Sequence, residues 1–593
     1  MLNGKINFYQ NTIASLNKTK SVINKQITIL GWARLLVFIT AAVSVYYSIS
    51  DYNMLHLSIL IGAVVAFFFL LYVYNRLSNQ RELLTNLIKI NENEVAVLEH
   101  RPSFFDSGKE YLDDESYHAD LDIFGERSLF HNINRTTTLN GKEKLALLFG
   151  SPLLTSKEIT VQQEAVKELS ENTLLRQHIC AVGLQSAKNS TDFKAISDWL
   201  ETPNEFICSA KIKFLLFLAP LLFAGSILFG WITDYYMIIN YAVVINLIIF
   251  GAYAKRITEI HQSLSNNLKQ FSAFAEMFDL INVHQFNSQQ LKNTHSISLE
   301  ASKEFEALTK LGNFFDKRTN VLVMFFLNAI FLFDIQCVFH LEKWKKKNKS
   351  RVQIWLNGIA EIETLSSLAT FCFNHPGYIF PVVNDRQPYL KSKDLSHPLI
   401  PDEECVSNDI TFGNDERLFI VTGSNMSGKS TFLRTIGVNV LLTRCGAPVC
   451  AAQFECSVMD IYTSLRQTDS LLDHVSLFFS ELSKLKSILH GLSTNPNALV
   501  LLDEVLRGTN SDDKLYGSQE LVKKLIRTGC VTILATHDIA LSKMSDEYPD
   551  TIKNYCFESS LDNNQLSFDY KLKSGVSQNR NATFLMKQMG IID

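Results

Sequence analysis

Lys429 and Ser430 close the octet Gly423-Ser424-Asn425-Met426-Ser427-Gly428-Lys429-Ser430, which fits G-x-x-x-x-G-K-[ST]. That pattern makes a loop whose backbone N–H groups cradle a nucleotide's phosphates, and glycine permits the tight bend. Lys429 is expected to bridge the β- and γ-phosphates of ATP, and the Ser430 hydroxyl to ligate Mg²⁺. Downstream, the apolar run Ala498-Leu499-Val500-Leu501-Leu502 ends in Asp503-Glu504. Asp503 is expected to hold the same ion, and Glu504 to polarise the attacking water. A second apolar run, Val531-Thr532-Ile533-Leu534-Ala535-Thr536, ends in His537, which could sense the γ-phosphate or orient that water. Paired acids are usually a solvated face, and a lone histidine is usually structural. Neither reading explains why these residues close runs that must be buried.

Such side chains need rigid supports. Leu418-Phe419-Ile420-Val421-Thr422 reads as the buried strand that delivers the loop. Thr431 to Leu442 reads as the helix behind it, its N-terminal amides aimed at the phosphates. The runs ending at Asp503 and His537 read as neighbouring strands of a parallel sheet. Between them, Asp473-His474-Val475-Ser476-Leu477-Phe478-Phe479-Ser480-Glu481-Leu482 reads as a helix N-terminus capped near Asp473 or Ser476.

With these motifs in place, the chain resembles the MutS family. Gly423 through Thr431 is similar to that family's P-loop, including the Asn425-Met426 pair that most P-loops lack. Asp503-Glu504-Val505-Leu506-Arg507-Gly508-Thr509-Asn510 resembles its extended Walker B run, and Ala535-Thr536-His537-Asp538 its switch histidine. Ser476 matches the signature serine, which in ABC-type ATPases reaches the γ-phosphate bound by the opposite subunit. The resemblance therefore implies a composite site and a homodimer. Ser424 and Ser427 depart from the family's usual Pro and Gly, and Leu506 replaces a usual Gly; none of these changes removes a phosphate or metal ligand, and Ser424 and Ser427 stay among the expected nucleotide-binding residues of the loop. Upstream, Leu121-Asp122-Ile123-Phe124-Gly125, Thr136-Thr137-Thr138-Leu139-Asn140-Gly141, Leu145, Pro152 and Gln162-Gln163-Glu164-Ala165-Val166 through Leu169 follow the family's core domain. The likeness covers most of 115–593, with one large interruption.

That interruption is apolar. Of 593 residues, 47% are hydrophobic, too many long runs for an ordinary soluble enzyme. Leu35–Ile49, Leu57–Tyr74, Phe214–Thr233 and Tyr235–Tyr253 carry no charge. A span needs about 17–25 apolar residues; the first run qualifies if Trp32 and Arg34 sit at the interface. The four pair as two hairpins with short outer turns. Lys18, Lys20, Lys25, Arg34, Arg76, Arg81 and Lys89 flank the first, and Lys211, Lys213, Lys255 and Arg256 the second; the turns carry Asp51 and Asp234. The positive-inside rule then predicts an inner- or plasma-membrane protein with its N-terminus and ATPase domain cytoplasmic. The first run begins late and lacks a small-residue cleavage site, so no cleavable leader is expected.

A fifth run, Val321–Phe333, ends at Asp334 and has basic residues on both flanks. A carboxylate at the bilayer centre costs roughly 2.5–3.5 kcal/mol. A fifth span would also put the phosphate loop outside, so this run is expected to be a buried helix packing the core against the ATPase. Lys343–Lys349 reads as a solvated helix end, with 343–351 the one candidate basic patch. Ten cysteines show no metal spacing and are expected to be reduced thiols. The net charge of −4 gives no support to duplex binding, which normally needs a basic surface.

The sequence thus predicts an α/β P-loop NTPase domain of the ABC type, an all-α MutS-like core and lever, and two transmembrane hairpins. The expected boundaries are a cytoplasmic segment 1–30, hairpin 31–76, linker and core 77–210, hairpin 211–256, lever and core 257–395, and ATPase domain 396–593. The second hairpin stands where the family carries its DNA clamp, and the first where its mismatch-reading domain would be. DNA binding is possible by resemblance only. A DNA-structure or damage sensor and an ABC-type transporter half are the alternatives; only Asn240 and Asn246 could line a membrane path.

Overall fold

The computed structural model describes residues 2–50, 54–113, 115–187, 199–203, 205–413, 415–466, 477–507, 510–562 and 565–577. The first 374 residues are helical. They include α1 (Leu2–Ser50), α2 (Met54–Leu98), α3 (Leu139–Gly150), α4 (Ser156–Glu171), α5 (Thr173–Ala187), α6 (Ala210–Thr233), α7 (Met237–Asn282), α8 (Gln289–Phe315), α9 (Val321–Phe331) and α10 (Phe333–Asn374). The remainder alternates strand and helix. Its strands are β1 (Val382–Asn384), β2 (Leu390–Leu395), β3 (Asn408–Phe412), β4 (Leu418–Thr422), β5 (Gln453–Ser457), β6 (Asp460–Ser464), β7 (Ala498–Asp503), β8 (Val531–Thr536), β9 (Ile552–Asp562) and β10 (Gln565–Ser574). Its main helices are α11 (Lys429–Arg444), α12 (Leu477–Thr494) and α13 (Ser511–Thr528).

The continuous apolar runs form the centre of a six-stranded sheet ordered β10-β9-β4-β8-β7-β6, parallel except for the β9–β10 pair. Every residue of β4 and β8 is buried, as expected for strands covered on both faces. A second sheet, β1-β5-β2-β3, lies beside it. Its strands β1 and β2 precede residue 396 yet pair with β5 beyond it. One apolar cluster runs from Leu121 and Phe130 of the helical part through α10 to Phe419 and Leu499 of the sheet. The helical core and the nucleotide-binding sheet therefore share an interior.

α1 with α2, and α6 with α7, form the two hairpins, and all four helices are long and apolar enough to cross a membrane. Their outer faces are bare: Trp231 is 73% exposed, and Phe217, Tyr241 and Phe68 are exposed with it. The helices do not stop at the apolar boundary. α2 continues to Leu98 and α7 to Asn282; at 46 residues α7 is about 69 Å long. Arg34 lies over the ring of Tyr74 at 4.7 Å, which puts it level with the end of the second apolar run, beside Arg76.

At their far ends α1 and α2 are locked into the core. Glu94 of α2 accepts two hydrogen bonds from the Arg135 guanidinium and one from Asn374 Nδ2 at 2.7 Å, and Tyr9 of α1 donates to Asn374 Oδ1 at 2.6 Å. Burial alone would push the Glu94 carboxyl up, but Arg135 and Asn374 outweigh it and hold it below the usual range.

Two sequence expectations fail here. Val321–Phe331 is not a buried bridge to the ATPase. α9 packs against the second hairpin and α10, and Leu322 and Phe326 are 70% and 69% exposed. The segment Lys343–Lys349 is solvated at Lys343, Lys346, Lys347 and Lys349, but it is not a helix end; it lies within α10. Lys345 is buried and donates to Thr202 O at 2.7 Å, Lys347 pairs with Glu304, Lys349 with Glu201 at 2.8 Å, and Arg351 with Glu300. Three of the six cations in 343–351 pair with acids from distant parts of the chain, so local charge counting overestimates the patch.

Candidate functional site

β4 ends at Thr422 and α11 begins at Lys429, so residues 423–428 form the loop between them. Gly428 caps α11 at φ 103°, and a Cβ there would meet the Tyr570 ring at 3.1 Å. Glycine is required on both counts. Lys429 is buried, and its Nζ donates to Gly423 O at 2.8 Å and Ser424 O at 3.0 Å. Those carbonyls stand in for phosphate oxygens. Burial pulls the Lys429 ammonium below its ordinary range. Asn425 and Met426 are exposed at the loop tip, Ser427 is buried with an unpartnered hydroxyl, and Thr431 is exposed in the first turn of α11.

Asp503 ends β7 and accepts a hydrogen bond from the Ser430 hydroxyl. Its other oxygen, Oδ1, is buried with no hydrogen-bond partner among the described residues. Burial pushes this carboxyl up. A buried orphan oxygen beside a hydroxyl is a hard-oxygen donor set that suits Mg²⁺, an ion that takes few protein ligands and fills its shell with phosphates and water.

Glu504 has φ 52°, and its N–H donates to Ala535 O at 2.9 Å on β8. The carboxylate lies 3.2 Å from His537 Nδ1 and 2.8 Å from Arg507 Nη2. The parallel pairing of β7 and β8 thus brings Asp503, Glu504 and His537 to one edge of the loop. Ser476 lies outside the described residues; α12 begins at Leu477.

Leu506 occupies φ 58°, the conformation a glycine favours. The site tolerates it because its side chain is buried against α13 and its N–H donates to Glu481, which also accepts from Arg507 N at 3.1 Å. Glu481 is one functional residue the sequence did not single out. His397 and Tyr570 are others: with Pro401, Asn408 and Phe557 they wall a cleft of about 800 Å³ that opens onto the loop. Burial, with Arg434 nearby, pushes His397 down to about 4. No local pattern marks these residues, because they arrive from β3, β10 and a loop.

A further set ties the site to the helical core. Asp120 accepts from Thr463 Oγ1 at 2.6 Å, Arg466 N at 2.9 Å and Lys484 Nζ at 2.8 Å. Asp122 pairs with Arg466 at 2.7 Å and with Arg434 of α11 at 3.3 Å. Leu121 packs onto α11 so closely that a Cβ on Gly437 would lie 2.8 Å from it. Fifteen residues on, Thr137 N donates at 2.8 Å to Glu363 of α10.

A parallel sheet with a glycine loop, a buried lysine and strand-end acids defines a P-loop ATPase. Within that class, residues 419–589 match MutS domain V, so the C-terminal region carries a MutS-type ATPase domain. The DNA mismatch repair protein MutS of Thermotoga maritima is 32% identical over 251 residues, 42% of this chain and 31% of that protein. The protein of the same name from Chlorobium phaeovibrioides is 35% identical over 204 residues, 33% of this chain and 23% of that one. DNA mismatch repair protein MutS 2 of Halobacterium salinarum is 32% identical over 231 residues, 38% and 26% respectively. This chain spans about a third or less of the length of these relatives, and the match is confined to its C-terminal part.

Proposed function

We propose that the protein is a membrane-anchored ATPase that binds Mg·ATP between two copies of itself and moves its helical core on hydrolysis. The observation that carries the reading is the strand-edge constellation: Ser430 on Asp503, whose inward oxygen is unpartnered, beside Glu504 in contact with His537. Lys429 exchanges two loop carbonyls for phosphate oxygens. Ser430 and Asp503 would hold Mg²⁺, which would supply charge neutralisation on the phosphates. Glu504 accepts a proton from water, and His537 orients that carboxylate. His397 and Tyr570 line the cleft beside the phosphates, where the rest of the nucleotide lies. Ser476 completes the site from the second copy.

Contacts lead outward from α11 to Asp122 and Leu121 and, fifteen residues on, from Thr137 to Glu363 on α10, which packs against α7. Because α7 is one helix from bilayer to core, a shift at its base displaces the hairpin. The test is ATP hydrolysis by the detergent-solubilised full chain. Glu504→Gln should bind ATP and stall as a dimer, and Ser476→Ala should slow turnover while sparing nucleotide binding. Parental turnover in E504Q would remove the base assignment.

The names of the relatives favour a second reading, retained DNA contact. The pairing of Lys347, Lys349 and Arg351 with acids weakens it. A steep salt dependence of duplex binding would support it. A transport path has lost a candidate lining residue, since Asn246 is buried and donates to Ala329 O at 2.8 Å.

A further inference from the structure

We infer that α9 is a re-entrant helix that seats its Leu322–Phe326 face among acyl chains of the cytosolic leaflet. The inference rests on the proposed membrane anchoring and goes beyond it, because four hairpin helices account for that anchoring without α9.

Its surface points to lipid. Residues 321–333 carry no charge. Val321, Leu322, Phe325 and Phe326, in the first two turns, are exposed, while Asn328 and Ala329 in the last turn are buried, with Ala329 O held by Asn246 of α7. The bare face continues the exposed apolar surface of α6 and α7, on which α9 packs.

Its depth follows from two bonds. Arg318, just before α9, donates to Thr258 at 3.2 Å, two residues past the Lys255–Arg256 pair that closes the hairpin. Near its other end, Ala329 O is held by Asn246, nine residues inside Lys255. At 1.5 Å per residue that is about 14 Å, close to half the hydrocarbon thickness of about 30 Å. The chain then turns at Leu332, φ 48°, and α10 leaves at 81° to α9. Glu342 of α10 accepts from Ile207 N at 2.8 Å, four residues before Lys211, so α10 is back at the basic base of the hairpin by residue 342.

The backbone is finished as lipid demands. A helix end in water leaves its carbonyls to solvent; in hydrocarbon each must meet a protein donor. Here Asn328 O accepts from Leu332 N at 3.2 Å, Ala329 O from Asn246, Phe331 O from Gln336 Nε2 at 2.7 Å and Leu332 O from Gln336 N at 3.1 Å. At the start, Asn320 Oδ1 accepts from Leu322 N at 3.1 Å. Asp334, the acid that argued against a membrane position, is fully buried and paired with Arg318 at 2.9 Å. Lipid never meets it.

The test uses the full chain in phosphatidylcholine/phosphatidylglycerol vesicles, with exposed Cys208 replaced by serine and NBD attached at Leu322→Cys, Phe331→Cys or, as a hairpin control, Val244→Cys. Each is quenched by 5-doxyl or 12-doxyl phosphatidylcholine. The expected result is at least two-fold quenching at all three sites, stronger with 5-doxyl lipid at 322 and with 12-doxyl lipid at 331. Shallow quenching at both α9 sites would mean a helix flat on the surface and overturn re-entrance. A quenched 244 with silent 322 and 331 would overturn lipid contact by α9 and leave anchoring intact. Silence at 244 as well would overturn both.

Discussion

The ATPase end and the hairpin end of this molecule treat their surfaces in opposite ways. In the sheet, β4, β7 and β8 bury nearly every side chain, and even polar Lys429 and Asp503 are withdrawn from water. In the hairpins, rings such as Trp231 and Tyr241 stand open. A chain able to bury Leu499 and Phe419 completely does not expose aromatic helices for want of packing. The contrast is what the proposed membrane anchoring expects, and the helical core lies between the two ends. Its ties between elements are polar and specific: the buried ion pair of Glu94 with Arg135, the partly exposed pair of Asp122 with Arg434, and the hydrogen bond from Thr137 to Glu363.

The contrast can be broken from either end. At the ATPase end, Glu504→Gln should lower turnover about 10³-fold, within the range for loss of a general base, while ATP stays bound; single-turnover assays with labelled ATP check this. Chelating Mg²⁺ should abolish turnover in the parent and leave melting without nucleotide unchanged. In the linking core, Arg135→Met leaves Glu94 buried and unpaired, and should cost about 3–5 kcal/mol in chemical denaturation. If the loss is under about 1 kcal/mol, the lock between hairpin and core is not structural.

His397 sharpens the comparison through pH. Its folded-state value of about 4 lies below the usual histidine range near 6.5. The unfolded chain takes the proton first as pH falls. Stability from this group is therefore complete above about 6.5 and lost progressively toward 4. His397→Gln should flatten that part of the melting profile by on the order of 2 kcal/mol; an unchanged slope would remove the assignment. The smallest effect belongs to Lys347→Ala. Its exposed pair with Glu304 should contribute under about 0.5 kcal/mol, and any larger loss of melting stability would show that the middle of α10 carries more than surface charge.

Much of the nucleotide site was legible because its determinants are contiguous. Leu418–Thr422 had to be a strand, Gly428 had to bend, and Asp503 and His537 had to arrive at strand ends. The pocket walls were not legible. His397 and Tyr570 reach the cleft only through sheet pairing, and no spacing connects them. Leu506 shows a partial failure: the sequence marked it as a departure, but only its backbone and the bond to Glu481 explain how a leucine holds a glycine's conformation. α9 shows a complete one. It was expected to be buried and its first two turns are exposed, and no spacing in the sequence shows that Asp334 pairs with Arg318, sixteen residues away.

The sequence alone determined the chemistry of the loop, the strands that support it and the helices too apolar for water, since each depends on residues close along the chain. Which surfaces those helices share, which charges cancel across α10, and where α9 turns back were decided by tertiary packing. Those outcomes depend on pairs brought together from far apart, whose energies exist only once the chain has folded.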